Sequence, residues 1–257
     1  MSAGLIGHEV RALLRARRTR LAVGLVLYGV IGAVFLLARP PAAVAAAATE
    51  WFHGRDPAFA LFLFVWTDLA LNKLAAILGV VLAGGIVRED QARGLLPLLW
   101  AKPITPARYF LGKLAAAAIV FTMLLGGAAL IGLLVFPWQV AGFRAGPFLV
   151  VSGVHLVGAL FAVVLSATVA VLISRRLTAM LTSLMILLML VGSAFIGFYN
   201  PAWADYAALN PFYHAVWLLG HVDDLTLAHV ARPLTIILVT HAIVVAVGVV
   251  AVRRIEA

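Results

Sequence analysis

The sequence predicts an all-α membrane protein with six transmembrane helices, which together form a single transmembrane domain over residues 1–257. Three observations lead to this class. Hydrophobic residues make up 65% of the 257 residues and charged residues only 11%, whereas about a quarter of an ordinary soluble domain is charged. Apolar stretches of spanning length recur along the chain, and basic residues cluster at their ends. A crossing needs about 20 apolar residues, so six crossings with their loops fill this length.

The N-terminal segment, 1–20, predicts an amphipathic helix that lies on the membrane surface. Ile6, Val10, Leu13 and Leu14 recur at roughly helical spacing, and the same segment holds five arginines. A narrow apolar face with a basic remainder is typical of interfacial helices on anionic lipid. The apolar run that follows is of spanning length, which favours a retained first span over a cleaved signal peptide.

Six apolar stretches predict the membrane spans. Their approximate limits are 21–38, 59–87, 114–136, 149–173, 178–198 and 233–252. The second is longer than a bilayer core is thick: at 1.5 Å per residue it would extend roughly 40 Å against roughly 30 Å, so it must tilt, bend or protrude. The segment 199–231, before the sixth span, is too apolar for a free loop and predicts short helices at the outer interface.

The distribution of basic residues predicts the orientation. Fourteen of the 19 Lys and Arg residues lie in the N-terminus, the segment 88–113, the turn 174–176 and the C-terminus, whereas the alternate loops hold four. Lys and Arg resist translocation, so we expect both termini and segment 88–113 in the cytoplasm. The net charge of +9 is then a consequence of topology, and membrane lipid rather than nucleic acid is the expected partner.

Segment 88–113 is the most distinctive polar stretch. It mixes acidic and basic residues with three prolines and an apolar cluster, Leu98-Leu99-Trp100. Thr105-Pro106 predicts a helix start, because Thr caps helices and Pro is tolerated at the first helical position. From the residues alone, the cluster is either part of a loop that rests on the bilayer or a short helix that docks into a groove of a partner.

The order of residues in this segment resembles the cytoplasmic loop of the ABC-2 type permease family, the membrane subunits of many ABC exporters (type V exporter-like). The family pattern has an acidic residue at the end of the second span, then Gly-Thr, a leucine pair, Pro-x-Ser/Thr-Arg, and Gly-Lys at the start of the third span. The matching residues here are Glu89, Gly94, Leu98-Leu99, Pro103-Ile104-Thr105 and Gly112-Lys113. Two residues depart from the pattern: Leu95 replaces the usual Thr, and Pro106 replaces the usual Arg, with Arg108 two places later.

The resemblance implies a permease subunit of an ATP-driven ABC transporter that exports an amphipathic or hydrophobic substrate, such as a drug or lipid, across the bacterial inner membrane. Two permease halves, identical or related, would work with two copies of a separate ABC ATPase, which would bind the ATP and Mg²⁺. Segment 88–113 would hold a coupling helix against that ATPase. Its contact residues would be Glu89, Gly94, Leu98, Leu99, Trp100, Pro103, Arg108, Gly112 and Lys113.

Nothing in the sequence predicts an enzyme or a cofactor site in this chain. Gly112-Lys113 is not a phosphate-binding loop, because Ala107 occupies the position that needs Gly and Leu114 the one that needs Ser or Thr. The chain has no cysteine, and its serines lack a convincing His/Asp partner. We therefore expect no catalytic residue, no metal and no cofactor bound by this chain.

Polar residues in the second span are candidates for a site within the membrane. Asp68, Asn72 and Lys73 lie there, and a charged group at the bilayer centre costs about 2.5–3.5 kcal/mol on insertion scales. Asp68 and Asn72 are one α-helical turn apart and should share a face; Lys73 lies off that face, but its side chain is long enough to reach back to it. Either they form internal ion pairs or polar interfaces, or they line a translocation path.

Two further functions stay open. The first is an ion-coupled secondary transporter or channel that uses Asp68 and Lys73, and the second is an ABC-like membrane assembly factor without a cargo. Among the histidines, His155 and His241 are expected in the core or at an interface. The remaining polar candidates lie before the sixth span with spacings that match no known metal-ligand pattern: His214, His221, His229 and Asp223-Asp224.

Overall fold

The computed structural model describes residues 3–38, 42, 46, 57–100, 104–196 and 200–255. Within these ranges the chain is mostly helical and contains no strand. Six of the described helical stretches are long and apolar enough to cross a membrane: Arg17–Leu37, Leu61–Ala92, Pro106–Trp138, Ala145–Leu172, Arg176–Ser193 and Leu227–Val252. The prediction of an all-α chain with six helices able to cross a membrane is confirmed.

The N-terminal part forms two helices, α1 (Ala3–Arg15) and α2 (Arg17–Ala38). The break between them falls at Ala16, so the first spanning helix begins at Arg17 rather than near residue 21. Thr19 closes the break, since its hydroxyl donates a hydrogen bond of 2.6 Å to the Leu13 carbonyl. The predicted N-terminal helix is present but ends before residue 20, and its position on the membrane surface stays a prediction.

The second span is interrupted twice. Helix α3 (Pro57–Val65) passes into a π-helical turn (Trp66–Asn72) and then into α4 (Lys73–Ala83). Gly84 and Gly85 separate α4 from α5 (Ile86–Ala92). The excess length that the sequence indicated is thus divided among interrupted helices, and the helical part extends to residue 92 instead of ending at 87.

Helix α6 (Leu95–Trp100) follows α5 after a two-residue turn. Gly94 makes this turn with a φ of 66°, in the left-handed region that glycine adopts without strain. A short helix thus lies in segment 88–113, and its contact with a partner stays a prediction. The helix tolerates Pro97, because in the first turn of a helix the missing N–H has no intrahelical partner to lose. Leu98, Leu99 and Trp100 are described as the end of α6, and Pro103 lies outside the described residues.

Helix α7 (Pro106–Val135) starts as predicted. Thr105 is its N-cap, with the side-chain oxygen accepting from the Arg108 backbone N–H at 3.3 Å, and Pro106 takes the first helical position. The helix thus begins before the expected span limit of 114. A 3₁₀ turn, Phe136–Trp138, ends it.

The C-terminal half consists of three long helices and a short helical segment. The long ones are α8 (Ala145–Leu172), α9 (Arg176–Ser193) and, at the end of the chain, α12 (Leu227–Val252). Between α9 and α12 lie a 3₁₀ turn (Pro201–Trp203), α10 (Ala204–Ala207) and α11 (Tyr213–Leu219), so the short helices expected in this segment are present. Helix α12 begins before residue 233 because Thr226 and His229 form a capping box.

Helix α8 is at the centre of the bundle, where it packs against α4, α7, α9 and α12. It approaches α4 most closely at Gly79, where an added β-carbon would lie 2.5 Å from the Ala162 Cβ. Aromatic rings fill the space near the start of the second span, with 4.7 Å between the ring centroids of Phe62 and Phe136. Helices α2, α9 and α12 instead expose large apolar side chains, as helices in contact with lipid do.

Candidate functional site

Asp68 and Lys73 form an ion pair in the second span, with 3.0 Å between Lys73 Nζ and Asp68 Oδ2. The π-helical turn Trp66–Asn72 accounts for this pairing, because π-helical hydrogen bonds join residues five apart and bring their side chains to the same face. Asp68 and Lys73 thus form the internal ion pair that the sequence left open, with the Lys73 side chain reaching back across the π-helical turn. A role of these residues in a translocation path stays a prediction.

Asn72 lies in the interior of the bundle instead. Its side chain is fully buried, and neither amide atom has a hydrogen-bond partner among the described residues. The Thr67 hydroxyl, also buried, has none there either. An unsatisfied buried polar group costs about 1–3 kcal/mol, so Asn72 is a destabilising feature of the turn rather than a member of the ion pair.

The ion pair lies in a groove of about 540 Å³ between the second span and α9. The rest of the groove is apolar: Phe64, Ile77, Leu188, Val191, Gly192 and Phe195. The Lys73 side chain is 49% exposed and that of Asp68 is 18% exposed, so the groove opens away from the bundle. A pair of opposite charges thus lies on an otherwise apolar outer face of the described helices.

A second polar site lies at the end of the bundle where α2 and α9 begin. Glu89 on α5 binds two arginines through the same oxygen, with Oε1 at 2.9 Å from Arg18 Nη1 and 2.7 Å from Arg176 Nη2. Arg18 lies in the first turn of α2 and Arg176 starts α9. Glu89 therefore connects the end of the second span to the starts of two other spanning helices.

Lys113 makes the corresponding connection on the other side. Its Nζ lies 2.8 Å from Asp90 Oδ2 and 2.9 Å from Glu9 Oε2. The Tyr109 hydroxyl donates to Asp90 Oδ2 at 2.7 Å. These contacts join α5 to α1 and α7. We call the six charged residues together the charge cluster: Glu9, Arg18, Glu89, Asp90, Lys113 and Arg176, which line one cavity of about 340 Å³.

Arg88 anchors α5 to the end of α8. Its Nε donates to the Ala170 and Ile173 carbonyls at 2.9 and 3.0 Å, and its Nη2 donates to the Val171 carbonyl at 3.0 Å. The last carbonyls of a helix have no intrahelical partner, and a nearby cation satisfies them and stabilises the helix dipole. Through Arg88, Glu89 and Asp90, α5 binds α2, α7, α8 and α9, and Lys113 on α7 extends these contacts to α1.

The structure brings only some of the expected contact residues together. Glu89 and Lys113 meet in the charge cluster, where their side chains are 18% and 12% exposed, so each binds residues of this chain. Gly94 and Arg108 are exposed, and Gly112 is buried along α7. Four residues of the charge cluster were not predicted from the sequence: Glu9, Arg18, Asp90 and Arg176. The run Arg88-Glu89-Asp90 could have indicated such a cluster. Consecutive residues of a helix point in different directions, so each of these charges can bind a different neighbouring helix.

The histidines occupy separate positions. His155 is buried in α8, as expected, and His241 is partly buried. His221 Nδ1 lies 3.1 Å from the Trp217 carbonyl, and His229 caps α12. Asp223 binds Arg144. Within the described ranges, no group of three or more His, Cys, Asp or Glu side chains could hold a metal ion.

The architecture is that of a multi-pass membrane protein with a polar cluster at one end and an ion pair in a groove on its side. No protein-family model matches the chain, and no curated protein is similar to it in sequence.

Proposed function

We propose that the chain is the permease subunit of an ATP-driven exporter of the ABC-2 type, which lies in the bacterial inner membrane with both termini in the cytoplasm. It moves an amphipathic or hydrophobic substrate outward, together with a separate ABC ATPase that binds ATP and Mg²⁺. The proposal rests on the order of residues in segment 88–113, on the side-chain contacts of α5 with other helices, and on the short turn that joins α5 to α6.

One observation supports this proposal most. Helix α6 is joined to α5 through the single turn at Gly94, and side chains bind α5 directly to four other helices. A partner that pushes or pulls α6 therefore acts on the ends of several spanning helices at once. Residues of the charge cluster would transmit this motion within the chain, while exposed residues such as Leu95 and Arg108 would face the ATPase.

The groove with Asp68 and Lys73 supports a second permease half. Lipid hydrocarbon is a poor environment for a charged pair, so a groove that exposes one calls for a polar surface or a water-filled path against it. A second copy or a related chain placed there would enclose the groove. The two halves would then form a path in which apolar walls bind the hydrophobic part of a substrate and the ion pair binds its polar part.

Photo-cross-linking tests the proposed contact between α6 and the ABC ATPase. A photoreactive amino acid at Leu95, on α6, should cross-link to the ABC ATPase co-expressed with the chain. The same residue at Trp138, which is 87% exposed at the opposite end of α7, is the matched control and should not. A cross-link at Trp138, or none at Leu95 while the two proteins co-purify, would contradict the assignment of α6.

An ion-coupled secondary transporter is the second candidate, and the Asp68–Lys73 pair favours it. A carboxylate beside an amine in the membrane can exchange a proton with a water path, which would couple transport to a gradient. A transport assay with the purified chain in liposomes distinguishes the secondary transporter from the permease subunit. Transport driven by an ion gradient without ATP and without an ATPase would support the secondary transporter and reject the permease subunit.

A further inference from the structure

A small pocket lies at the end of the bundle opposite the charge cluster, between α10, α11 and the start of α12. Its volume is about 160 Å³. Asp205, Tyr213, His214, Trp217 and Arg232 contribute its polar and aromatic walls. These residues are spread over three helices and come together only in the fold, so the site could not be predicted from the sequence.

Two opposite charges line the pocket without neutralising each other. Among the described residues neither Asp205 nor Arg232 forms an ion pair. Each acts on a neighbouring ring: burial raises the pKa of Tyr213 and Asp205 adds to the rise. Burial lowers the pKa of His214, and Arg232 adds to this against the opposing effect of a hydrogen bond to the Ala208 backbone. The pocket therefore offers one anionic and one cationic group.

His214 supplies a third polar group. The residue is 4% exposed, and its Nε2 has no hydrogen-bond partner among the described residues. Burial favours the neutral ring, in which one nitrogen donates and the other accepts, and we assign the acceptor role to Nε2. An unsatisfied buried acceptor indicates a missing donor, and a ligand that carries an N–H group would satisfy it.

The size and surroundings of the pocket limit the ligand. Sites that enclose a drug-sized molecule measure roughly 300–1,000 Å³, so this pocket holds only a compact head. Pro233 and Ile236 form the side toward α12, whose following turns expose Leu238 and Val239. Trp217 is partly buried, and tryptophan is typical of membrane interfaces. A polar head in the pocket would continue into an apolar tail along α12.

We infer that this pocket binds the headgroup of a zwitterionic phospholipid with a primary ammonium. The phosphate lies against the Arg232 guanidinium, and the ammonium donates to the Asp205 carboxylate and to His214 Nε2. The recognised chemistry is a phosphate two carbons from an ammonium, which a bilayer lipid (phosphatidylethanolamine) or soluble phosphoethanolamine can supply. The site does not depend on the proposed transport function, because it uses none of the residues assigned to it.

Lipid-dependent thermal unfolding of the purified full chain tests this. Phosphatidylethanolamine added to the chain in detergent should raise the melting temperature, and phosphatidylglycerol, which lacks the ammonium, should do so at least tenfold less effectively by concentration. Stabilisation by phosphatidylethanolamine but not by soluble phosphoethanolamine identifies a bilayer lipid as the source, and equal stabilisation identifies the headgroup alone.

Substitutions locate the effect. Asp205 and Arg232 are both exposed in part, so Asp205→Asn and Arg232→Gln should fold and should each weaken the apparent affinity at least tenfold. Asp224→Asn and Arg144→Gln, outside the pocket at the same end, are the matched controls and should leave it unchanged. Equal effects of the two lipids, or wild-type affinity in both pocket variants, would overturn the inference.

Discussion

Glu89 Oε1 lies 2.7 Å from Arg176 Nη2, which joins the end of the second span to the first residue of α9. The same oxygen lies 2.9 Å from Arg18 Nη1 on α2. One carboxylate thus pairs with two guanidinium groups from distant parts of the chain. The proposed transmission from α6 to the spanning helices depends on this arrangement.

Replacement of Glu89 should therefore destabilise the protein more than replacement of an exposed residue nearby. Glu89→Gln leaves Arg18 and Arg176 without their carboxylate. Loss of one partner of a fully buried ion pair lowers the free energy of unfolding by about 3–5 kcal/mol. With side-chain exposures of 18–52% in this set, we expect about 1–2 kcal/mol. Thermal unfolding in detergent measures it. Arg108→Gln, on exposed α7 surface, is the control; an equal loss there would contradict the account.

Arg88 should hold the end of α8 in place. Its guanidinium binds three carbonyls there, and Lys cannot reproduce this planar arrangement of donors. Arg88→Lys and Arg88→Met should both increase amide hydrogen exchange in the segment 168–176, with the larger increase in Arg88→Met. Arg93→Met, which changes the exposed arginine just after α5, should have no such effect. Unchanged exchange in both Arg88 variants would show that α8 does not need this anchor.

The Asp68–Lys73 pair should matter for function more than for stability. Removal of both charges in Asp68→Leu/Lys73→Leu leaves no uncompensated charge, and such double replacements are often neutral or stabilising. We expect an unfolding temperature equal to or above that of the wild type, but loss of substrate-stimulated ATP hydrolysis by the assembled transporter. Asp68→Leu alone leaves Lys73 unpaired and should lower stability by about 1 kcal/mol, or roughly 2–4 °C. Full activity of the double variant would show that the pair is only structural.

His214 should make stability depend on pH. Because burial lowers its pKa in the folded state, the unfolded chain takes up a proton first as the pH falls below about 6.5. The unfolded state then binds more protons, so His214 should reduce stability from about pH 6.5 down to its own lowered pKa. Melting temperatures between pH 8 and pH 5 should fall less steeply in His214→Gln. His8→Gln, on exposed α1 surface, should keep the wild-type slope, and parallel slopes for all three proteins would contradict this.

The sequence predicted the regular parts of this fold well. Long apolar stretches determine spanning helices through composition alone, and the capping chemistry of Thr105-Pro106 determines the start of α7 through local hydrogen bonding. The predicted ends of two helices were wrong. Helix α12 starts at the capping box of Thr226 and His229, before Pro233, and a break at Ala16 divides the N-terminal helix. No local sequence signal marks the π-helical turn, which packs against α2 and α8, so the approach of Lys73 to Asp68 did not follow from α-helical spacing.

The candidate sites were only partly predictable for the same reason. Glu89 and Lys113 stood out in the sequence through their neighbours along the chain. Their partners are remote, with Arg18 and Glu89 separated by 71 positions, and each partner by itself looked like an ordinary basic or acidic residue at a span end. Segment 86–92 was expected to leave its helix at residue 88, which hid the fact that α5 presents Arg88, Glu89 and Asp90 to different helices.

The most direct test of the central claim is the ATPase activity that co-purifies with this chain. The affinity-tagged chain should isolate an ABC ATPase in equimolar amount from its native membrane, and the complex should hydrolyse ATP. The same chain with Leu95–Trp100 replaced by six Gly and Ser residues should reach the membrane, remain folded and lose both the ATPase and the activity. Isolation of the folded wild-type chain without an ATPase, or full activity after α6 is replaced, would contradict a permease that is driven through this helix.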